Sequence, residues 1–375
     1  MTPSCFFHAP GAGLVSSRSS WNKDAIQSIF QAGLTSQSHQ DRAQGTFAIC
    51  VGGEWLASWA KVTSHSGIAQ DAKDSNCVTI GGSSQTWTQD QAHLVLLENT
   101  DTYTYASADL AGAYVGQATS YLREWLFLKD GLWLIRDRLG GVDAAAAVFW
   151  HQHTGALVPV VDALGFHVPG QQGQLFGIVV RPGHGAAAIT KLTNDRDPGV
   201  IGYRLDLADQ GGREFIVALE ATGLTQLTSA YRPWDTNGLV GVFRQTAGPQ
   251  TVALAAWVSG SGPWAYASPG AGTHVLLGMA PNQSYQVPGG TATSSPGGVL
   301  MFKGPIASAQ VTVAPADSGG GGLTNRTWNI ISGNLIPESG PPVKLVGGQL
   351  VVQAIPGEPA ETSVPKGRAR RDKHP

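Results

Sequence analysis

Trp125-Leu126-Phe127-Leu128-Lys129-Asp130-Gly131-Leu132-Trp133-Leu134-Ile135 is the stretch that decides the fold. Two apolar runs flank Lys129-Asp130-Gly131, and Asp-Gly is the pair that suits a tight hairpin turn with positive φ. The stretch reads as two antiparallel strands joined by a short turn. The same rhythm recurs on both sides of it. Upstream lie residues 46–51 before Gly52-Gly53, 77–80 before Gly81-Gly82, and 94–97. Downstream, strands are predicted at 145–150, 175–180, 202–207, 214–220 and 239–245. So many strands must bury a face, and a second sheet is the simplest cover. The fold class is therefore all-β, a large antiparallel β-sandwich. Helical signal is confined to a turn or two at 71–74 and 107–113.

Composition agrees. The 375 residues hold 49 Gly and 22 Pro, a turn-rich content, and only 13% of them are charged, about half the usual globular share. A formal net charge of −2 lacks the basic excess of a nucleic-acid binder, and the one basic run, 366–373, sits in the tail. No stretch approaches the roughly 18–20 apolar residues of a membrane-spanning helix, so no membrane insertion is expected. Residues 1–8 have neither a basic start nor an apolar core, so no signal peptide is read there. Cys5, Cys50 and Cys77 are too scattered for a disulfide framework or a thiolate zinc site. Cys50 and Cys77 read as core thiols.

Three regions are expected. Residues 1–250 form the sandwich. Residues 251–315, with short strands near 252–258, 274–277, 285–287, 299–302 and 309–313, form a smaller C-terminal β-sheet. Residues 316–375 form a Gly/Pro-rich flexible tail, opened by the linker Ser318-Gly319-Gly320-Gly321-Gly322. One stray hairpin is expected at 345–354, and disorder from 355 onward.

The first 80 residues carry an ordered set of fragments: Gly13-Leu14-Val15-Ser16-Ser17-Arg18-Ser19-Ser20-Trp21, Phe30-Gln31-Ala32-Gly33, His39-Gln40-Asp41-Arg42-Ala43-Gln44-Gly45-Thr46-Phe47, Gly53-Glu54-Trp55-Leu56 and Ser75-Asn76-Cys77-Val78-Thr79-Ile80. Arg123, Asp137-Arg138-Leu139 and Phe149-Trp150-His151-Gln152-His153 continue the series. In order and spacing, these resemble the C-terminal β-sandwich (supersandwich) region of heparinase II/III-like polysaccharide lyases, over roughly residues 5–310. The resemblance implies a substrate class, uronic-acid-containing glycans such as glycosaminoglycans or alginate, and cleavage by β-elimination. It also implies a periplasmic or extracellular setting. In such lyases a base takes the uronate C5 proton while a neighbour neutralises the carboxylate. Most of those groups come from an N-terminal α/α toroid, and the resemblance here begins directly at the sandwich. A helical toroid on another chain is therefore an expected partner, beside acidic polysaccharide itself.

The resemblance also assigns residues. His39 matches the family histidine that faces the toroid cleft and is the candidate catalytic group, the plainer reading being a rim histidine of the sandwich. The family's zinc ligands fall here on Asp41, Trp59 and Ser75. One carboxylate cannot hold Zn²⁺, so no metal and no other cofactor is expected. His151 and His153, two apart on a strand, share a face and suit a sugar groove. Trp150 and Gln152 take the other face, as core or rim. Arg18 and Trp21 suit a carboxylate and a sugar ring, unless Trp21 caps the core and Arg18 pairs with Asp24. Gln40 completes the candidate substrate-binding set. Trp55, Trp125 and Trp133 read as core. Neither a serine nucleophile elbow nor a zinc-protease motif occurs. Three functions remain open: a lyase module needing a helical partner, a non-catalytic carbohydrate-binding module, or a structural β-protein of a virion or other assembly.

Overall fold

The computed structural model describes residues 4–33, 41–58, 71–86, 92–183, 187–193, 201–223, 229–236, 238–246, 252–268, 270–305, 309–316, 328–331, 334–337, 343–346 and 349–352. Residues 1–319 form one compact unit and 320–375 another.

The first unit begins with a five-stranded meander, β1 (Phe6–Ala9), β2 (Leu14–Arg18), β3 (Ile26–Gln31), β4 (Phe47–Val51) and β5 (Glu54–Ala57), paired in that order. β6 (Val78–Ile80) joins another sheet. β7 (His93–Asn99), β8 (Tyr103–Asp109), β9 (Ser120–Leu128) and β10 (Leu132–Gly140) form a second meander. After β11 (Val148–His153), the strands β12 (Val160–Val161), β13 (Gly165–Pro169) and β14 (Gln174–Arg181) return to that meander. β15 (Ala187–Thr193) and β16 (Ile201–Ala208) extend from β11, which itself pairs with β6. β17 (Glu214–Thr222) slots between β10 and β14, completing a central sheet of eight strands.

The deciding stretch folds as the sequence predicts. Leu132 pairs with Leu128 across a three-residue loop, and Gly131 takes φ +104°. A Cβ there would also stand 2.7 Å from the Ala221 carbonyl oxygen. Trp125, Phe127, Trp133 and Ile135 face one core, whereas Leu126, Leu128, Leu132 and Leu134 face a second. Burial on both faces is why these strands read as nearly unbroken apolar runs instead of alternating ones.

The first core is closed by the β1–β5 meander together with the β15-β16-β11-β6 sheet. The second core is closed by a five-stranded sheet on the other side of the central one. The chain here runs through β18 (Ser229–Thr236), β19 (Leu239–Thr246), β20 (Val252–Val258), β21 (Trp264–Ser268), β22 (Gly272–Leu277), β23 (Ser284–Val287), β24 (Gly290–Thr293), β25 (Leu300–Lys303) and β26 (Ala309–Pro315). The order β18-β19-β20-β22-β25 makes this sheet, with β20 and β22 parallel, and β21-β26-β23-β24 packs on it around a third core. Residues 1–319 are thus four stacked β layers.

The expected boundary at 250 runs through one of these sheets. Gly248-Pro249, the apparent break in the sequence, lies between β19 and β20, which pair over seven residue positions from Leu239↔Val258 to Gln245↔Val252. The two helical signals become short 3-10 turns at Ala72–Asp74 and Ala111–Tyr114, and residues 107–109 belong to β8. In the second unit the expected hairpin spans Val343–Val346 and Gln349–Val352. An unexpected one, Trp328–Ile331 with Asn334–Pro337, precedes it, because short apolar runs on either side of Ser332-Gly333 pair where a loose tail was expected. The 318–322 linker and the chain from 355 on lie outside the described residues.

Candidate functional site: the two ends of the first sheet

β11 sorts its side chains by alternation. Trp150 turns inward and stacks on Phe47 with ring centroids 5.9 Å apart. His151 and His153 turn away from that core, opposite Asp206 and Arg204 of β16. A carboxylate accepts and cannot donate, so His151 carries its proton on Nδ1, 2.6 Å from Asp206 Oδ1. Its Nε2 then accepts from the Thr79 hydroxyl at 2.8 Å. Thr190 (2.6 Å) and the Arg204 guanidinium (2.5 and 3.0 Å) saturate Asp206.

His153 serves the neighbouring turn. Its backbone N–H donates to Asn76 Oδ1 at 2.6 Å, and its ring Nε2 donates to the Lys73 carbonyl at 2.8 Å. Arg204 Nη1 donates to the same carbonyl at 3.2 Å. The 3-10 turn that carries Lys73 and Asp74 is therefore held by both β11 and β16. Asn76 connects this layer to the core: its side-chain amide donates to the Phe47 carbonyl, and its own carbonyl accepts from Arg123 at 2.7 Å. Arg123 and Asp137 form a two-pronged pair at 2.6 and 2.9 Å with both side chains fully buried, and the Tyr121 hydroxyl donates to Asp137.

The electrostatics follow from this burial. Burial lowers His151 and pushes His153 down to about 3, so both rings are neutral near pH 7. Burial alone would raise Asp206, but the hydrogen bonds from His151, Arg204 and Thr190 hold it well below the usual carboxylate range. Burial pushes Asp74 up to about 6. Two neutral imidazoles cannot neutralise a uronate, so His151 and His153 act here as supports. Among the described residues, exposed Lys73 and half-buried Arg42 bring positive charge to the surface at this end, both paired to Asp71.

Asp41 is exposed and Ser75 buried, while Trp59 lies outside the described residues. Among the described residues, no three His, Cys, Asp or Glu side chains are gathered to hold a metal ion. His39 and Gln40 also lie outside the described residues. The flanking residues belong to this histidine end: the Gly33 N–H donates to Gln44 Oε1 (2.9 Å), and Arg42 pairs with Asp71.

Arg18 and Trp21 stand elsewhere. Arg18 pairs in register with Gln27, whereas β3 meets the histidine end near Gln31 and Thr46. Four residues along a strand amount to about 13 Å. Arg18 donates to the Ser20 carbonyl (3.2 Å) and Gln27 Oε1 (3.1 Å) and lies 4.9 Å from the Trp21 ring centre. Trp21 is 49% exposed and does not cap the core. Trp55, expected inside, is 40% exposed, because a bulge at Ile49/Cys50 sets Leu56 and Ala57 inward together. Trp125 and Trp133 are core residues as expected.

The sequence reading missed Thr79, Asp206 and Arg204. Arg204-Leu205-Asp206 carried a signal, two ionic residues flanking an apolar one on a strand, but its pairing with β11 spans about fifty residues of chain and leaves no local trace.

No protein-family model and no curated protein matches the sequence. Among solved structures, heparan sulfate lyase HepC from Pedobacter heparinus is similar at a TM-score of 0.54 and 14% identity, over 67% of this chain and 42% of that one. A heparinase III, the BT4657 gene product, gives 0.51 and 13% over 66% and 41%. A further heparinase III gives 0.50 and 12% over 69% and 43%. This chain spans about two fifths of the length of these lyases. The sequence resemblance is thus met in three dimensions as a shared fold: two thirds of this chain is built like the β region of the heparinase III-type lyases.

Proposed function

We propose that this chain is a polysaccharide-handling β module of the lyase type, which holds uronate-containing glycan at the histidine end. It performs β-elimination only when a helical partner supplies the missing groups. The likeness in fold to heparan sulfate lyase carries this reading. The chemistry of the histidine end supports it: a firmly held turn offers Lys73 to an anionic sugar. Elimination needs a base, a carboxylate neutraliser and a leaving-group acid held together. The described residues offer the pieces of a binding surface and, in Asp74, one carboxyl with a pKa near working pH, which is less than that set.

The test is absorbance of the unsaturated uronate product over a panel of acidic glycans, beside direct binding to the same panel. The full chain is expected to bind and to turn over little. His39→Ala should weaken binding by about 1 kcal/mol, one charge-assisted hydrogen bond. Robust turnover by the chain alone would overturn the dependence on a partner. Failure of every glycan to bind would overturn the function.

A further inference from the structure

The described residues include three exposed large aromatic side chains, Phe7 (59%), Trp21 (49%) and Trp55 (40%), and all belong to the first sheet or the turn after β2. The other exposed large hydrophobics are aliphatic and lie elsewhere. On the outer face of the sheet, Arg18, Gln27, Cys50 and Trp55 are successive cross-strand neighbours. Three strand spacings put Arg18 and Trp55 about 14 Å apart. Between them lie the Gln27 amide and the small Cys50 side chain, so the row is shallow in the middle and aromatic at both ends.

The charge pattern adds a second, independent observation. Among the described residues, Arg18 donates to two uncharged oxygens, Ser20 O and Gln27 Oε1, and its ring contact is with Trp21. Its cation is thus pre-oriented beside an indole and, among the described residues, carries no carboxylate partner. Glu54, the residue before Trp55 on β5, accepts from the Gln172 backbone N–H at 2.7 Å.

We propose that this row is a second, non-catalytic glycan-binding track, in which a short anionic oligosaccharide crosses strands β2 to β5 between Trp21 and Trp55 with an acidic substituent at Arg18. Sugar rings present C–H faces that stack on indoles, and Gln27 offers donor and acceptor to ring hydroxyls between them. The spacing fits a short linear oligosaccharide better than a single sugar, and an arginine bonded only to uncharged oxygens among the described residues favours an acidic one. The track shares with the proposed function the premise that the ligand is a glycan. It needs nothing from the histidine end.

The experiment is calorimetric titration of the full chain with tetrasaccharides from heparan sulfate and with a neutral tetrasaccharide, in wild type and variants. Trp21→Ala and Trp55→Ala should each weaken the acidic probe about ten-fold, and Arg18→Gln should abolish its preference over the neutral probe. All three sites are at the surface, so unchanged circular dichroism is expected. Wild-type-like binding in both tryptophan variants, with loss on Lys73→Ala, would overturn the track and leave the histidine-end function standing. Loss in the tryptophan variants alone would uphold the track and remove the histidine end from binding. No binding by wild type would overturn both. A dimer in sedimentation that Trp21→Ala converts to monomer would also overturn the track, by assigning the face to a second copy of the chain.

Discussion

The histidine end, built on β9, β10, β11 and the turn at Ala72–Asp74, and the aromatic end of the first sheet solve opposite problems. At the histidine end, polar side chains are buried and satisfied in series: Asp137 to Arg123, Arg123 to Asn76, Asn76 to His153, and His153 to Lys73. At the aromatic end, Arg18 and two tryptophans lie at the surface and touch little of the core. The contrast separates two kinds of candidate residue. A histidine locked by a carboxylate and a hydroxyl shapes a site from behind. An indole half in water beside a cation bonded only to uncharged oxygens among the described residues is placed to meet an anionic ligand.

The largest test of this contrast is Asp137→Ala. Removing one partner of a fully buried pair leaves Arg123 uncompensated, which should cost about 3–5 kcal/mol in denaturant unfolding. The chain through Asn76 should carry the damage to the histidine end. Replacing both partners with apolar residues should recover much of it; a double variant no better than the single one would break the argument.

His153→Ala should cost less, about 1–3 kcal/mol near pH 7, through the abandoned Lys73 carbonyl and the space left behind. It should also change the pH profile. The unfolded chain protonates this histidine as pH falls through about 6.5, whereas the folded chain resists until about 3, so stability falls with pH across that window. Asp74 acts in the opposite sense: pushed up to about 6, it holds its proton in the folded state where the unfolded chain has lost it, so its contribution is lost as pH rises through about 6. Denaturation midpoints from pH 7 to pH 4 should therefore fall more steeply in wild type than in His153→Ala. Parallel profiles would mean that His153 is not held neutral.

The smallest effects are expected at the aromatic end and at the position of the family's zinc. Trp55→Ala should shift stability by no more than about 0.5 kcal/mol, as exposed substitutions do. Chelator treatment should leave the melting temperature unchanged, and a stoichiometric metal in elemental analysis would refute the reading of Asp41, Trp59 and Ser75 as non-ligands.

Much of the fold was legible because strand pairing is local in meanders. Asp130-Gly131 announces its hairpin, and unbroken runs such as Leu132–Ile135 announce burial on both faces. The expected boundary at 250 falls between β19 and β20, whose antiparallel pairing leaves no mark in the sequence. The site was legible only in part. Alternation put His151 and His153 on one face, but it could not say that Asp206 would fill that face and leave the rings neutral. Nor could it show that Arg18 and His151 occupy different ends, since that depends on which residue of β3 each end meets. Trp55 was misplaced by a one-residue bulge, which reverses the sidedness of everything beyond it.

The first sheet, unlike the central one, leaves much of its outer face at the surface among the described residues, with only Ala48 and Cys50 buried there. Val15, Phe30, Phe47 and Ile49 fix its register from within, and Arg18, Gln27 and Trp55 on the other side add cross-strand side-chain bonds, Arg18 to Gln27 and Gln27 to Ser16, outside that core. A drifting lineage, or a laboratory library, can therefore rewrite the outward row one codon at a time while the scaffold keeps its shape, whereas a change at almost any position of β9 or β10 must satisfy two cores at once. Diversity among relatives of this chain should accordingly concentrate on that row, and recognition of a new ligand is most easily acquired there.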